Sequence, residues 1–131
     1  STLKISNNTA SDEVSLSSKA LDEILTNLFY NAVKHGFKNA QKHIIRISIN
    51  TEGSKIIVAV SNNGVPLKDG IVDKIFDYGQ TTETGKDNHS GLGCYQVKSL
   101  MDYFGHEISV ESDPNEEFPV TFKLVFNRKE L

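Results

Sequence analysis

Asn27, Asn31 and Lys34 stand four and three residues apart in the stretch "LDEILTNLFYNAVKHG", residues 21–36. With Glu23 they would share one side of a helix. Asparagine is unfavourable inside a helix because its amide competes for backbone hydrogen bonds. Two of them one turn apart therefore call for a reason. An amide oxygen is a ligand for a hard cation such as Mg²⁺, which takes oxygen donors and binds few protein groups plus substrate phosphates. Lys34 would then meet phosphate as a point charge. The plain alternative is a pair of solvated surface amides that happen to lie on one side.

Further along, "SNNGVP" closes an apolar run and "HSGLG" precedes a second helical stretch. A glycine-lined helix start offers free N–H groups and a positive dipole end, which suit phosphate. The same glycines also serve where chain and helix merely pack closely. Cys94 falls in the first turn of that helix, where a thiolate is favoured, although small buried cysteines are common. His35 and His89 have no third ligand beside them and argue poorly for zinc. No P-loop and no Gly-x-Ser-x-Gly elbow occurs.

These groups must be held by regular elements, and the apolar periodicity supplies them. Leu21, Ile24, Leu25, Leu28, Phe29, Ala32 and Val33 recur at helical steps, after a serine suited to cap the helix and before Gly36 as its stop. "TLKIS" reads as a short strand; "HIIRISIN" and "KIIVAVS" around "TEGS" read as a hairpin. Residues 62–90 lose the pattern except for Ile71, Ile75 and Phe76, which marks a lid or binding loop. A second helix carries Val97, Leu100, Met101 and Phe104 and stops at Gly105, and "EISVES" and "VTFKLVF" close the chain as strands. This order implies helices on one face of a mostly antiparallel sheet.

The chain's 131 residues suffice for one domain, spanning 1–131, and not for two. A net charge of −3 gives no electrostatic reason to expect nucleic acid or an anionic membrane. No apolar run reaches membrane-spanning length, and the lone Cys94 excludes an internal disulfide, so a cytoplasmic setting is expected. The start at Ser1 rather than Met suggests a piece of a longer protein.

Taken in order, "NLFYNAVKH", "SNNGVP", "IFDYGQTT" and "SGLGCYQVKSLM" resemble the asparagine, first glycine, phenylalanine and second glycine boxes of the ATP-binding catalytic domain of sensor histidine kinases. That domain belongs to the wider Bergerat-fold class shared with gyrase, heat-shock chaperone and mismatch-repair ATPases. The resemblance covers about residues 20–126. It implies an α+β fold, a two-layer α/β sandwich whose mostly antiparallel mixed sheet carries helices on one face and a long ATP lid.

It further implies that Asn31 ligates Mg²⁺ and that Asn27 and Lys34 act near the phosphates. His35 would lie close to the ribose and phosphates, Asn62 would face the adenine amine, and Gly64 would let the backbone approach the base. Ile75, Phe76, Thr81, Thr82, Ser90, Gly91, Leu92 and Gly93 would complete the nucleotide site. Three positions depart from the family pattern: Asn62 replaces an aspartate, Pro66 replaces a glycine, and "EEFPVTF" lacks the usual Gly-Thr before the last strand.

The implied function is the catalytic half of a histidine kinase. It would bind ATP or ADP and deliver the γ-phosphoryl to a histidine on a helical hairpin of the same or a partner chain, ahead of a response regulator. An ATP-hydrolysing clamp, a serine kinase of the anti-sigma type and a nucleotide-binding interaction module are the alternatives. Hydrolytic relatives carry a glutamate at position 27, and an amide cannot accept the proton of an attacking water, which favours the kinase over the clamp.

Overall fold

The computed structural model describes residues 2–7, 18–36, 42–68, 70–77 and 93–127, with side chains from Lys19 onward except those of His35 and Gly36. Strand β1 (Thr2–Asn7) precedes helix α1 (Ser18–Asn31), which runs on into a π-helical turn, Ala32–Gly36. The hairpin follows as β2 (Ile44–Glu52) and β3 (Lys55–Asn62). Its two-residue connection places Gly53 at φ +58°, a left-handed conformation that glycine adopts without Cβ strain. Helix α2 (Gly93–Tyr103), β4 (Glu107–Ser112) and β5 (Val120–Asn127) complete the chain.

The five strands lie in the order β1-β2-β3-β5-β4; β1 runs parallel to β2 and every other pair is antiparallel. The mostly antiparallel mixed sheet expected from the sequence is thus present. Strand β5 fills the gap between β3 and β4, so those two run parallel and α2 is carried across the sheet between them. Register then aligns Ile45, Ile47 and Ile49 with Val58, Val60, Phe122, Leu124, Ile108 and Val110 on one face. Both helices cover that face, burying Ile24, Leu28, Val97 and Met101 against it.

The α1 stripe is narrower than its periodicity predicts. Ile24, Leu28 and Ala32 are buried, but Leu21 is 39% and Val33 60% exposed. Leu21 lies in the first turn, and Val33 lies in the π turn, where i→i+5 bonding changes the advance per residue. Helix α2 ends as read. His106 N–H donates to the Met101 carbonyl (2.8 Å) and Gly105 N–H to that of Asp102 (3.1 Å), with Gly105 at φ +80°. This is a Schellman closure, which needs a residue tolerant of positive φ. The departure at "EEFPVTF" has a structural use: Phe118 is buried and the Arg46 guanidinium lies 4.1 Å from its ring centroid.

The candidate nucleotide and metal site

Asn27 is buried rather than a solvated surface amide, only 7% exposed. Its Nδ2 donates to the Glu23 backbone carbonyl one turn back, at 2.9 Å. A carbonyl only accepts, so this bond fixes which way the amide faces and turns Oδ1 the other way. Asn31 Nδ2 donates across to Cys94 Sγ at 2.9 Å. The remaining oxygens converge: a Cβ built on Gly93 would lie 3.3 Å from Asn27 Oδ1 and 3.9 Å from Asn31 Oδ1. Gly93 therefore keeps open a small corner where two neutral oxygen donors meet the first turn of α2.

That donor set fits a hard divalent cation with most of its shell left to water and phosphate. The first-turn N–H groups of α2 beside it suit an anion. Cys94 does not compete as a thiolate. Burial pushes its thiol up from 9.0 to about 11, partly offset by the Asn31 hydrogen bond, so it is neutral at physiological pH. The cost of burying the charged form outweighs the small stabilisation that a helix end offers a charge. Among the described residues no group of three His, Cys, Asp or Glu side chains gathers to hold a metal.

Lys34 follows in the π turn, where its Nζ donates to Tyr30 Oη at 3.3 Å and lies 5.6 Å from the ring centroid. Asn62, at the end of β3, is 6% exposed. Its Oδ1 accepts from Gly64 N–H at 3.0 Å, while among the described residues Nδ2 has no partner. The Gly64 bond thus gives this amide one preferred face.

Sequence reading missed the role of the neighbouring Asn63. Its Oδ1 accepts from Ile44 N–H (2.9 Å) and its Nδ2 donates to the Lys42 carbonyl (2.6 Å), clipping the start of β2 to the end of β3. An Asn-Asn-Gly turn announces such side-chain bonds but not which residue makes them. Beyond it the backbone is held down. Leu67 N–H donates to Ser112 Oγ (2.9 Å), and successive turns follow from Lys68 to Asp77. Ile75 and Phe76 are half-buried against the core, with Phe76 edge-on to Phe122 at 6.3 Å. They anchor this segment to the sheet.

The structure therefore joins Asn27, Asn31 and Gly93 in one corner, holds Asn62 with Gly64 at a strand end, and draws Lys34 to Tyr30. Thr81, Thr82, Ser90, Gly91, Leu92 and the His35 side chain lie outside the described residues, as does the expected lid beyond Asp77. A separate, mostly apolar groove, lined by Lys19, Ala20, Glu23, Leu100, Tyr103 and Phe104, lies where the start of α1 meets the end of α2. No helix of the described residues is long and apolar enough to cross a membrane.

Residues 17–128 match the family described as Histidine kinase-, DNA gyrase B-, and HSP90-like ATPase. The sensor histidine protein kinase HK06 of Streptococcus pneumoniae is 33% identical over 103 residues, 77% of this chain and 22% of that protein. The chain thus spans about a fifth of the length of that curated relative. Among solved structures, the catalytic domain of histidine kinase ThkA superposes with a TM-score of 0.79 at 23% identity, covering 98% of this chain and 80% of that one. ThkA in complex with response regulator protein TrrA gives a TM-score of 0.73 at 24% identity, covering 97% of this chain and 34% of that one. With the family match spanning most of the sequence and the amide corner in place, the chain belongs to the histidine kinase-, DNA gyrase B- and HSP90-like ATPase family, as a catalytic ATP-binding domain of the sensor histidine kinase kind.

Proposed function

We propose that this domain binds Mg²⁺–ATP and presents its γ-phosphoryl to a histidine on a separate helical hairpin domain, of the same or a partner chain, from which a response regulator receives it. The observation that carries this reading is the convergence of the Asn27 and Asn31 amide oxygens beside Gly93. Asn31 is the Mg²⁺ ligand, Asn27 turns its own oxygen to the same corner near the phosphates, and Lys34 serves the phosphates. Asn62 and Gly64 face the base. Ile75, Phe76, Thr81, Thr82, Ser90, Gly91, Leu92, Gly93 and His35 complete the nucleotide site.

Mg²⁺, held by Asn31, would neutralise phosphate charge, and the protein's share of such chemistry is positioning and electrostatics. Asn31 contributes one oriented oxygen, and the α2 N-terminus contributes N–H groups that need no reorganisation. Asn27 has its NH₂ committed to the Glu23 carbonyl and, as an amide, takes no proton from water. The domain therefore orients a phosphoryl group without activating water, which favours transfer to a partner over hydrolysis by a clamp. The complex of ThkA with TrrA supports extending the same partnership to this chain.

Calorimetric titration with ADP, in Mg²⁺ and in EDTA, tests the assignment. Mg²⁺ should tighten binding to the wild type, and Asn31→Ala should remove about tenfold of that gain, the equivalent of one polar contact to a charge. If Asn31→Ala keeps the whole Mg²⁺ gain, Asn31 is not the ligand.

A further inference from the structure

We infer that Cys94 is a positioning residue for Asn31: its sulfur holds the carboxamide NH₂ so that Oδ1 stays turned to the corner beside Gly93. The inference rests on the reading of Asn31 as the Mg²⁺ ligand and adds the group that orients it.

A carboxamide can flip by half a turn with little change of shape, exchanging an oxygen for an NH₂. One flip presents a cation with a ligand and the other with a pair of donors. For Asn27 the choice is made within its own helix, by the Glu23 carbonyl. Asn31 has no such local partner among the described residues; its only hydrogen bond there runs from Nδ2 to Cys94 Sγ, 63 positions along the chain.

Cys94 suits the task chemically. The side chain is 7% exposed and packs in the core, so the acceptor has a fixed place. Adjacent residues of one helical turn thereby divide the work: Gly93 supplies the space and Cys94 the orientation. A leucine or valine at position 94 would fill the core as well but accept nothing from the amide.

The test compares wild type, Cys94→Ala, Cys94→Ser and Asn31→Ala by calorimetry with ADP, each in Mg²⁺ and in EDTA. Cys94→Ala should lose about tenfold of the Mg²⁺ gain, with affinity in EDTA unchanged. Cys94→Ser should retain the gain, because its hydroxyl is again an acceptor. A purely structural role for Cys94 would lower both affinities together. In the nucleotide-free wild type, the side-chain NH₂ of Asn31 should exchange slowly with solvent by NMR, and this holds whether or not the variants fold.

A full Mg²⁺ gain in Cys94→Ala, or solvent-rate exchange of the Asn31 NH₂, overturns the inference and leaves the proposed function standing. A wild type with no Mg²⁺ gain, or an Asn31→Ala variant that keeps it, overturns the proposed function and this inference with it.

Discussion

At the scale of single residues, the most consequential exchange is at position 62. An ionised aspartate only accepts hydrogen bonds, which matches an adenine amine and repels a guanine carbonyl. Asn62 already spends its oxygen on Gly64 N–H and is left with a buried donor. In the proposed pocket that donor suits an acceptor on the base edge: the ring nitrogen of adenine beside its amine, or the guanine carbonyl. Adenine remains favoured by the pocket, and the margin over guanine is reduced. Competition binding of ATP against GTP should show discrimination rising about tenfold or more in Asn62→Asp, as the guanine carbonyl then faces a charge it cannot pair with. An unchanged ratio would mean that Asn62 does not read the base.

At the scale of elements, the site is the meeting of the end of α1 with the start of α2. Ala is a better helix former than Gly by about 1 kcal/mol, so Gly93→Ala gains helix propensity. The new Cβ would nevertheless press on Asn27 Oδ1 at 3.3 Å, an atom held in place through its own amide's bond to Glu23. The expected outcome is a melting temperature close to wild type with a several-fold weaker affinity for Mg²⁺–ADP. Equal affinity would show the corner to be wider than the two amides imply.

For the whole molecule, placing α2 between two parallel strands with β5 inserted between them brings the glycine-led helix start to the end of α1. In the proposed function these groups would stand around a phosphate chain, and Asn27 offers no proton acceptor there. The isolated domain should therefore release phosphate from ATP very slowly and should not label itself on histidine. Adding a helical hairpin domain that carries an acceptor histidine should yield acid-labile phosphate on the hairpin. Rapid steady-state hydrolysis by the domain alone, lost in Asn27→Ala, would instead identify a hydrolytic clamp.

How much of this was legible beforehand follows from what is local and what is not. The alternation Ile45–Ile47–Ile49, the stripe Ile24–Leu28–Ala32 and the stop at Gly105 are short-range patterns, and each became the element it announced. The order of the four boxes carried the family, and with it the fold and the nucleotide. The spacing of Asn27 and Asn31 marked them as a pair on one side of a helix. Spacing alone left their amides unoriented, since an amide's direction is chosen by whatever meets it. For Asn27 that partner is four residues away, for Asn62 two, but for Asn31 it is Cys94, which only the packing of α2 on α1 delivers. The thiol's neutrality is likewise a matter of burial rather than of its place in the first helical turn. The chain thus wrote the groups and their helix into its sequence, while the direction of the oxygen atoms was decided by tertiary contacts across the molecule.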